Sequence, residues 1–249
     1  MKKAIKLLAF ILLTVGISHI SPNLHEKFLL KYLDHYSVEL LNMTGNFRGS
    51  GLLFTDHGKT YIASAAHVCG RIDDEVEIVS DNLNFSKNAK VLKIDAATDT
   101  CIMESPIEIS FIGPKLGSRS DRIDNIYYVG YPMIRKPFFA KGYMSSEIII
   151  KTLMDLRPGE GKECLIGNYI EEYSFFGNSI GCEFDITLNY ASIPGFSGAS
   201  GSGVTNAFGN IVGIVSHGNS QFNDILMLAK VEELNKLMVE IIKEESDEN

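Results

Sequence analysis

Val38-Glu39-Leu40-Leu41, Gly51-Leu52-Leu53-Phe54, Tyr61-Ile62-Ala63-Ser64, Val76-Glu77-Ile78-Val79 and Val91-Leu92-Lys93-Ile94 follow one another, divided by Gly, Asn, Asp and Ser. Their spacing of roughly ten residues, with turn formers between apolar runs, reads as short strands of an all-β sandwich or barrel. The texture resumes with Ile126-Tyr127-Tyr128-Val129 and with residues 146–151, 184–188, 211–215 and 225–231. Between the two sets, residues 112–125 are polar and contain glycine, which suits a passage from one barrel to a second. Ahead of the strands, Leu29, Leu30, Tyr32 and Leu33 give residues 23–36 a weak helical period. At the far end Leu234, Leu237, Met238, Ile241 and Ile242 recur at three and four, an amphipathic helix over 231–243. The acidic residues 244–248 read as a solvated, frayed end.

Composition is ordinary for a globular chain, with 45% hydrophobic and 22% charged residues. The formal net charge of −8, with scattered lysines, argues against a nucleic-acid partner, since a polyanion is held by clustered cations that displace its counterions. Lys2, Lys3 and Lys6 precede an uncharged run over 7–17 that includes Gly16 near its end, and Ser18 follows. A basic start, a short apolar core and small residues describe a secretory signal peptide, with an uncleaved anchor as the alternative. The run is short for a membrane span, which takes about 20 apolar residues. An exported chain meets an oxidising compartment, where the four cysteines could form two disulfides in three pairings. Cys164 and Cys182 bracket a hairpin-like stretch and are the favoured pair; Cys69 and Cys101 then pair or stay free. No CxxC and no His/Cys spacing points to zinc.

The chemistry concentrates in three places. Ile193-Pro194-Gly195-Phe196-Ser197-Gly198-Ala199-Ser200-Gly201-Ser202-Gly203-Val204 surrounds two serines with glycines. Such a backbone can turn tightly and aim successive amides at one point, as an oxyanion hole requires. Gly-x-Ser-Gly occurs twice, around Ser197 and around Ser200, and the local string does not choose between them. Tyr61-Ile62-Ala63-Ser64-Ala65-Ala66-His67 runs an apolar strand into small residues and a histidine, which leaves an imidazole open to close approach. Asp95-Ala96-Ala97-Thr98-Asp99-Thr100-Cys101-Ile102-Met103 offers two carboxylates. Asp95 reads as a turn residue capping its own backbone. Asp99, among uncharged neighbours, reads as a buried carboxylate. Acyl transfer by serine uses a nucleophile, a base, a carboxylate that orients the base and donors for the oxyanion.

These strings resemble the motifs of the chymotrypsin/trypsin-like serine peptidases. Ser64-Ala65-Ala66-His67 is similar to their histidine motif, and Gly49-Ser50-Gly51 to the strand before it in bacterial members. Asp95 to Asp99 is similar to the Asp-x-x-x-Asp-hydrophobic stretch of periplasmic members, whose second aspartate orients the histidine. Gly213-Ile214-Val215-Ser216-His217-Gly218 resembles the strand that lines the specificity pocket. In the family that glycine lies thirteen residues after the nucleophile, as Gly213 does after Ser200, whereas it is sixteen after Ser197. The order His, Asp, Ser is also that of chymotrypsin.

The resemblance implies two six-stranded Greek-key β-barrels, chymotrypsin-like and all-β, closed by a C-terminal helix. It divides the chain into a signal peptide (1–18), an extension (19–36), an N-terminal barrel (37–115), a C-terminal barrel (116–230) and a helical tail (231–249). It implies His67, Asp99 and Ser200 as catalytic triad, Gly198 and Ser200 as oxyanion-hole amides, and Pro194, Ser197, Val215, Ser216, His217 and Gly218 as substrate-binding positions. It implies a secreted or periplasmic serine endopeptidase that acts on proteins or peptides, needs no metal or cofactor, and has no membrane contact after signal cleavage. The oligomeric state stays open. Residue 199 is Ala where vertebrate trypsins carry the aspartate that pairs with a new N-terminus, so the likeness is to the bacterial branch. Pro194 stands where trypsin has its pocket-floor aspartate, and Val215 where glutamyl endopeptidases have a histidine. A small or medium apolar side chain is therefore the expected preference. The periplasmic relatives usually append PDZ domains, which are not expected after the terminal helix. Residues 153–182 match no motif and read as a loop insertion. An inactive protease-fold binding protein, and an esterase on the same triad, remain alternatives.

Overall fold

The computed structural model describes residues 22–42, 47–80, 82–109, 113–118, 124–131, 137–155, 168–174, 177–218 and 224–247. The apolar run before residue 22 and the favoured Cys164–Cys182 pair lie outside the described residues and side chains. Helix α1 (Pro22–Tyr36) leads into strands β1 (Ser37–Asn42), β2 (Phe47–Asp56) and β3 (Lys59–Ser64). A single helical turn, α2 (Ala66–Cys69), precedes β4 (Glu75–Ser80), β5 (Phe85–Asp95) and β6 (Thr100–Glu104). These six strands close an antiparallel barrel in the order β1-β2-β3-β6-β5-β4.

The second half comprises β7 (Asn125–Gly130), β8 (Phe138–Asp155), β9 (Asn168–Ser174), β10 (Gly177–Ser192), β11 (Gly203–Asn206), β12 (Ile211–Gly218) and β13 (Ile225–Lys230). They form a seven-stranded sheet in the order β13-β12-β11-β7-β8-β10-β9. Pairing of β10 with β13 closes six of them into a second barrel and leaves β9 as an appendage of β10. The architecture is two six-stranded barrels with a C-terminal helix, α3 (Val231–Asp247). Residues 153–155, 168–174 and 177–182 are strand, where the sequence suggested a loop insertion. Long strands β8 and β10 stay paired as far as Asp155 and Gly181, and β9 adds to the end of that arm.

Strand texture follows burial. In β4 only Val76, Ile78 and Ser80 turn inward, the alternation of a strand with one wet face. In β7 every residue from Ile126 to Gly130 is buried. Ile126 and Tyr128 face the core of the second barrel, while Tyr127 and Val129 lie under Leu29 and Leu33 of α1. The unbroken apolar run thus marks a strand covered on both sides.

Helix α3 leaves β13 of the second barrel and packs back on β5 and β6 of the first. Leu234, Leu237, Met238 and Ile241 form its buried stripe and share one cluster with Ile102, Met103, Ile211 and Ala229. The acidic end does not fray where the sequence suggested. The helix continues to Asp247, with Glu244 on Lys93 at 2.5 Å and Glu245 on Lys59 at 2.6 Å. Truncating the fully buried Leu234 to Ala should lower stability by about 2–5 kcal/mol, read as a lower urea midpoint at unchanged slope. Val239→Ala, on the outer face at 66% exposure, should stay within about 0.5 kcal/mol.

Candidate active site

Strand β3 ends at Ser64, and the extended Ala65 turns the chain into α2. His67 therefore lies inside a helical turn and not at a strand end. Small, buried Ala65 and Ala66 let this turn sit against the barrel, while the His67 side chain keeps 42% of its surface open. The turn has no local side-chain cap. Asp99 serves instead: its Oδ1 accepts the His67 backbone N–H at 3.0 Å. The same carboxylate meets His67 Nδ1 at 3.0 Å through Oδ1 and 2.9 Å through Oδ2. Asp99 thus orients the ring by gripping both backbone and imidazole.

Asp99 occupies the β5–β6 turn with φ 53°, a left-handed conformation that costs a non-glycine residue about 1–2 kcal/mol. Asp95 shapes this turn by accepting Ala97 N–H at 2.9 Å, as a capping aspartate does. A disulfide joins Cys69 to Cys101, both fully buried. It ties α2 to β6 two residues beyond His67 and Asp99, so imidazole and carboxylate are cross-linked as well as hydrogen-bonded.

The second barrel brings the serine. Between Ser192 and Gly203 the chain folds into tight turns, with Gly198 at φ 94° and Gly201 at φ 86°. Ala199 N–H bonds Phe196 O at 2.9 Å, Gly201 N–H bonds Val215 O at 2.7 Å, and Ser202 N–H bonds Ala199 O at 3.0 Å. The N–H groups of Gly198 and Ser200 donate to no other described residue. Two unspent donors therefore flank a serine, which is the resource an oxyanion site needs. The Ser200 hydroxyl donates to Ser216 O at 3.3 Å rather than to His67 Nε2.

Glycine is required at residue 201 by contact as well as by φ. A Cβ there would fall 2.1 Å from both Ser50 O and Ser64 Oγ. Ser50 holds the loop at two points, its N–H bonding Ser200 O at 2.8 Å and its hydroxyl donating to Gly198 O at 2.9 Å, and that hydroxyl also accepts Tyr131 N–H at 2.8 Å from the end of β7. Sequence reading assigned Ser50 no role; only the strand-to-loop contact reveals it.

Ser216 and His217 complete the cluster. The Ser216 hydroxyl donates to Asp99 Oδ2 and lies 2.6 Å from His217 Nδ1. Ser216 has one proton, committed to the carboxylate, so His217 Nδ1 must carry the proton of the second bond. His217 Nδ1 lies 3.9 Å from Asp99 Oδ2, and its ring centre is 5.6 Å from that of His67. Burial works against charge on His67, but the Asp99 hydrogen bond and negative charge outweigh it and raise its pKa above 6.5. Asp99 is pulled the other way: burial opposes its charge, yet the bonds from His67 and Ser216 hold the carboxyl below its ordinary value and ionised. His217 is lowered, mainly by burial, and stays neutral near pH 7.

The remaining expected substrate positions divide. Val215 is buried in the core of the second barrel and its side chain is not available to a ligand. Ser216 is also buried, spent on Asp99. Pro194, Ser197 and Gly218 are exposed at the cleft rim, and the Pro194 carbonyl accepts the Tyr128 hydroxyl at 2.6 Å. Leu226, absent from the sequence reading, packs against Gly195. Its position facing Gly218 follows from strand register, which no motif announces.

No family model and no curated protein sequence matches the chain. Solved structures do resemble it. The Rv3671c protease of M. tuberculosis in an inactive form, as a Ser-to-Ala mutant, superposes with TM-score 0.60 at 14% identity over 89% of this chain and 93% of that one. The active form of the same protease gives 0.58 at 14% identity, over 87% and 85%. A serine endoprotease from Yersinia pestis gives 0.58 at 16% identity, over 88% of this chain and 66% of its own. The fold is therefore the chymotrypsin-like two-barrel fold of serine proteases.

Replacing Gly201 by Ala should cost about 1–3 kcal/mol from overpacking, beyond the φ penalty, because backbone lies on one side and a hydrogen-bonded hydroxyl on the other. Chemical denaturation of the variant would read this as a lower midpoint.

Proposed function

We propose that the chain is a serine endopeptidase that hydrolyses peptide bonds through His67, Asp99 and Ser200. The observation that carries the reading is the ionised, buried Asp99 bonded to His67 Nδ1, with Ser200 brought beside it on Ser216. In this reading the Ser200 hydroxyl turns from Ser216 O to His67 Nε2 and attacks the peptide carbonyl carbon, giving its proton to the ring. The amides of Gly198 and Ser200 take the oxyanion. The imidazolium protonates the leaving amine, the C–N bond breaks, and an acyl-enzyme remains. Water, activated by the same ring, then releases the acid and restores the hydroxyl. Apo sites commonly show a loose serine–histidine bond that tightens only with substrate.

Ser200 is preferred over Ser197 because Ser200 carries the contact to Ser216 beside Asp99, whereas Ser197 is exposed at the rim. In this division the first barrel, over 37–115, supplies base and carboxylate. The second, over 116–230, supplies nucleophile, oxyanion amides and the substrate positions Pro194, Ser197, His217 and Gly218, with the Ser216 hydroxyl held on Asp99. The chain is read as exported by its N-terminal apolar run, and the buried Cys69–Cys101 disulfide agrees with an oxidising compartment. No described helix is long and apolar enough to cross a membrane. A second reading, a protease-fold binding protein without turnover, draws on the Ser200 hydroxyl pointing at Ser216 O.

A fluorophosphonate probe should label Ser200, and peptide mapping of the adduct discriminates it from Ser197. Loss of labelling in His67→Ala supports the triad; no adduct on the folded, oxidised protein favours the binding-protein reading. Asp99→Asn should lower kcat by about 10⁴-fold, since the ring loses both tautomer control and its countercharge.

The pH profile follows from His67. The base works only when neutral, so kcat/KM should rise with pH through an inflection above 6.5. In Asp99→Asn that inflection should move down, because the raising interactions are lost while burial stays. An unmoved inflection would assign it to another group.

A further inference from the structure

We infer that Leu226 closes the slot beside Ser200, so that the enzyme cleaves after residues with very small side chains, glycine, alanine or serine. This rests on Ser200 being the nucleophile. An acyl residue held at Ser200 Oγ, which lies 3.3 Å from Ser216 O, must send its side chain between the end of β12 and the segment leading to the serine. Each of those walls carries a glycine, Gly218 on one and Gly195 on the other. Sequence reading places Gly218 in substrate binding and gives Gly195 no role.

The register fills the slot. Leu226 stands opposite Gly218 across the β12–β13 pair and opposite Ala191 across the β10–β13 pair. A Cβ on Gly195 would meet Leu226 Cδ2 at 2.2 Å and its Cγ at 2.8 Å. A Cβ on Gly218 would stand 3.7 Å from that same Cδ2 methyl. One leucine methyl therefore occupies the space between the two glycines. Gly195 is needed to admit Leu226, a Cβ on Gly218 would touch the same methyl only in ordinary contact, and little room is left between the walls for a substrate.

The walls are not free to part. Tyr128, fully buried, donates its hydroxyl to Pro194 O at 2.6 Å and fastens the segment next to Gly195. Phe196 turns its ring away to stack edge-on against Phe138 at 4.7 Å and stays half exposed at the rim. Leu226 itself is 2% exposed and belongs to the cluster of Ala191, Ile193, Val215 and Leu228.

The test compares peptide p-nitroanilides ending in Ala or in Phe, on wild type, Leu226→Ala and Leu226→Gly. Wild type should prefer Ala, and the Phe/Ala ratio of kcat/KM should rise by about 100-fold when the slot is opened, the scale of discrimination by apolar pocket volume. Wild type that cleaves after Phe, Arg or Glu as readily as after Ala would overturn the inference, whatever the variants do. So would a folded variant, checked by circular dichroism, whose ratio does not move. A separate probe does not depend on catalysis: indole, titrated by NMR into Ser200→Ala and into Ser200→Ala with Leu226→Gly. Binding beside Gly195 only in the second supports the closed slot; binding there in both, or in neither, overturns it. If neither peptide is cleaved and Ser200 takes no fluorophosphonate, the endopeptidase reading has failed, and the indole titration still decides whether Leu226 fills the slot.

Discussion

The seam where Gly49 and Ser50 of the first barrel meet residues 198–201 of the second is the constraint on which the rest depends. His67 and Asp99 are anchored in one barrel, Ser200 and Ser216 in the other, so no local turn can set the distance between base and serine. That distance is set where two backbones approach as closely as they can. A Cβ on Gly201 would strike Ser50 O, and one on Gly49 would strike Ser200 O at 2.8 Å. Three hydrogen bonds through Ser50 then hold the contact in one register. Van der Waals contact prevents closer approach and the bonds prevent separation, which is how a packed interior specifies position to a fraction of an ångström.

Asp99 is the second bond across that seam. It is 5% exposed, and an ionised carboxylate so placed must be met by donors. Those donors come from both sides: the His67 backbone and ring from the first barrel, the Ser216 hydroxyl from the second. The group that orients the imidazole therefore also aligns the strand on which Ser200 rests. Moving the barrels apart would leave a buried charge short of a partner, so docking and base orientation stand or fall together. Helices α1 and α3 reinforce this from outside, each packing on strands of both barrels.

Strands and motif residues were legible in the sequence because both are local. The apolar runs at 38–41, 61–64, 76–79 and 126–129 lie in β1, β3, β4 and β7, and glycines around Ser200 mark a turn that other residues could not make. What escaped reading depends on contacts between distant segments. Ser50 looked like one polar residue in a glycine-rich strand until its bonds to Gly198, Ser200 and Tyr131 were seen. Val215 matched a substrate position by motif, yet its side chain faces the core. The run at 244–248 looked like a solvated tail because charge alone was visible; Lys93 and Lys59, which receive Glu244 and Glu245, lie about 150 and 186 residues away. The described strand residues within 153–182 were read as part of a loop, although 146–151 and 184–188 on the same pair were read as strands, because the pairing that extends the strands exists only between distant segments.

Leu226 is the sharpest case of a residue whose meaning is set by register. Gly195, read alone, is one more glycine before the serine; read with the strand opposite, it is the clearance that Leu226 needs. Because that leucine also packs with Ala191, Ile193, Val215 and Leu228, the slot and the barrel core share one wall. Removing the side chain to admit a larger substrate leaves a gap continuous with the core, and a cavity of leucine size costs about 2–5 kcal/mol. In the proposed reading, selectivity is thus tied to the stability of the second barrel, whereas the groups of the proposed chemistry lie on the seam between the barrels. A broader preference gained by truncating Leu226 would therefore lower the stability of the second barrel.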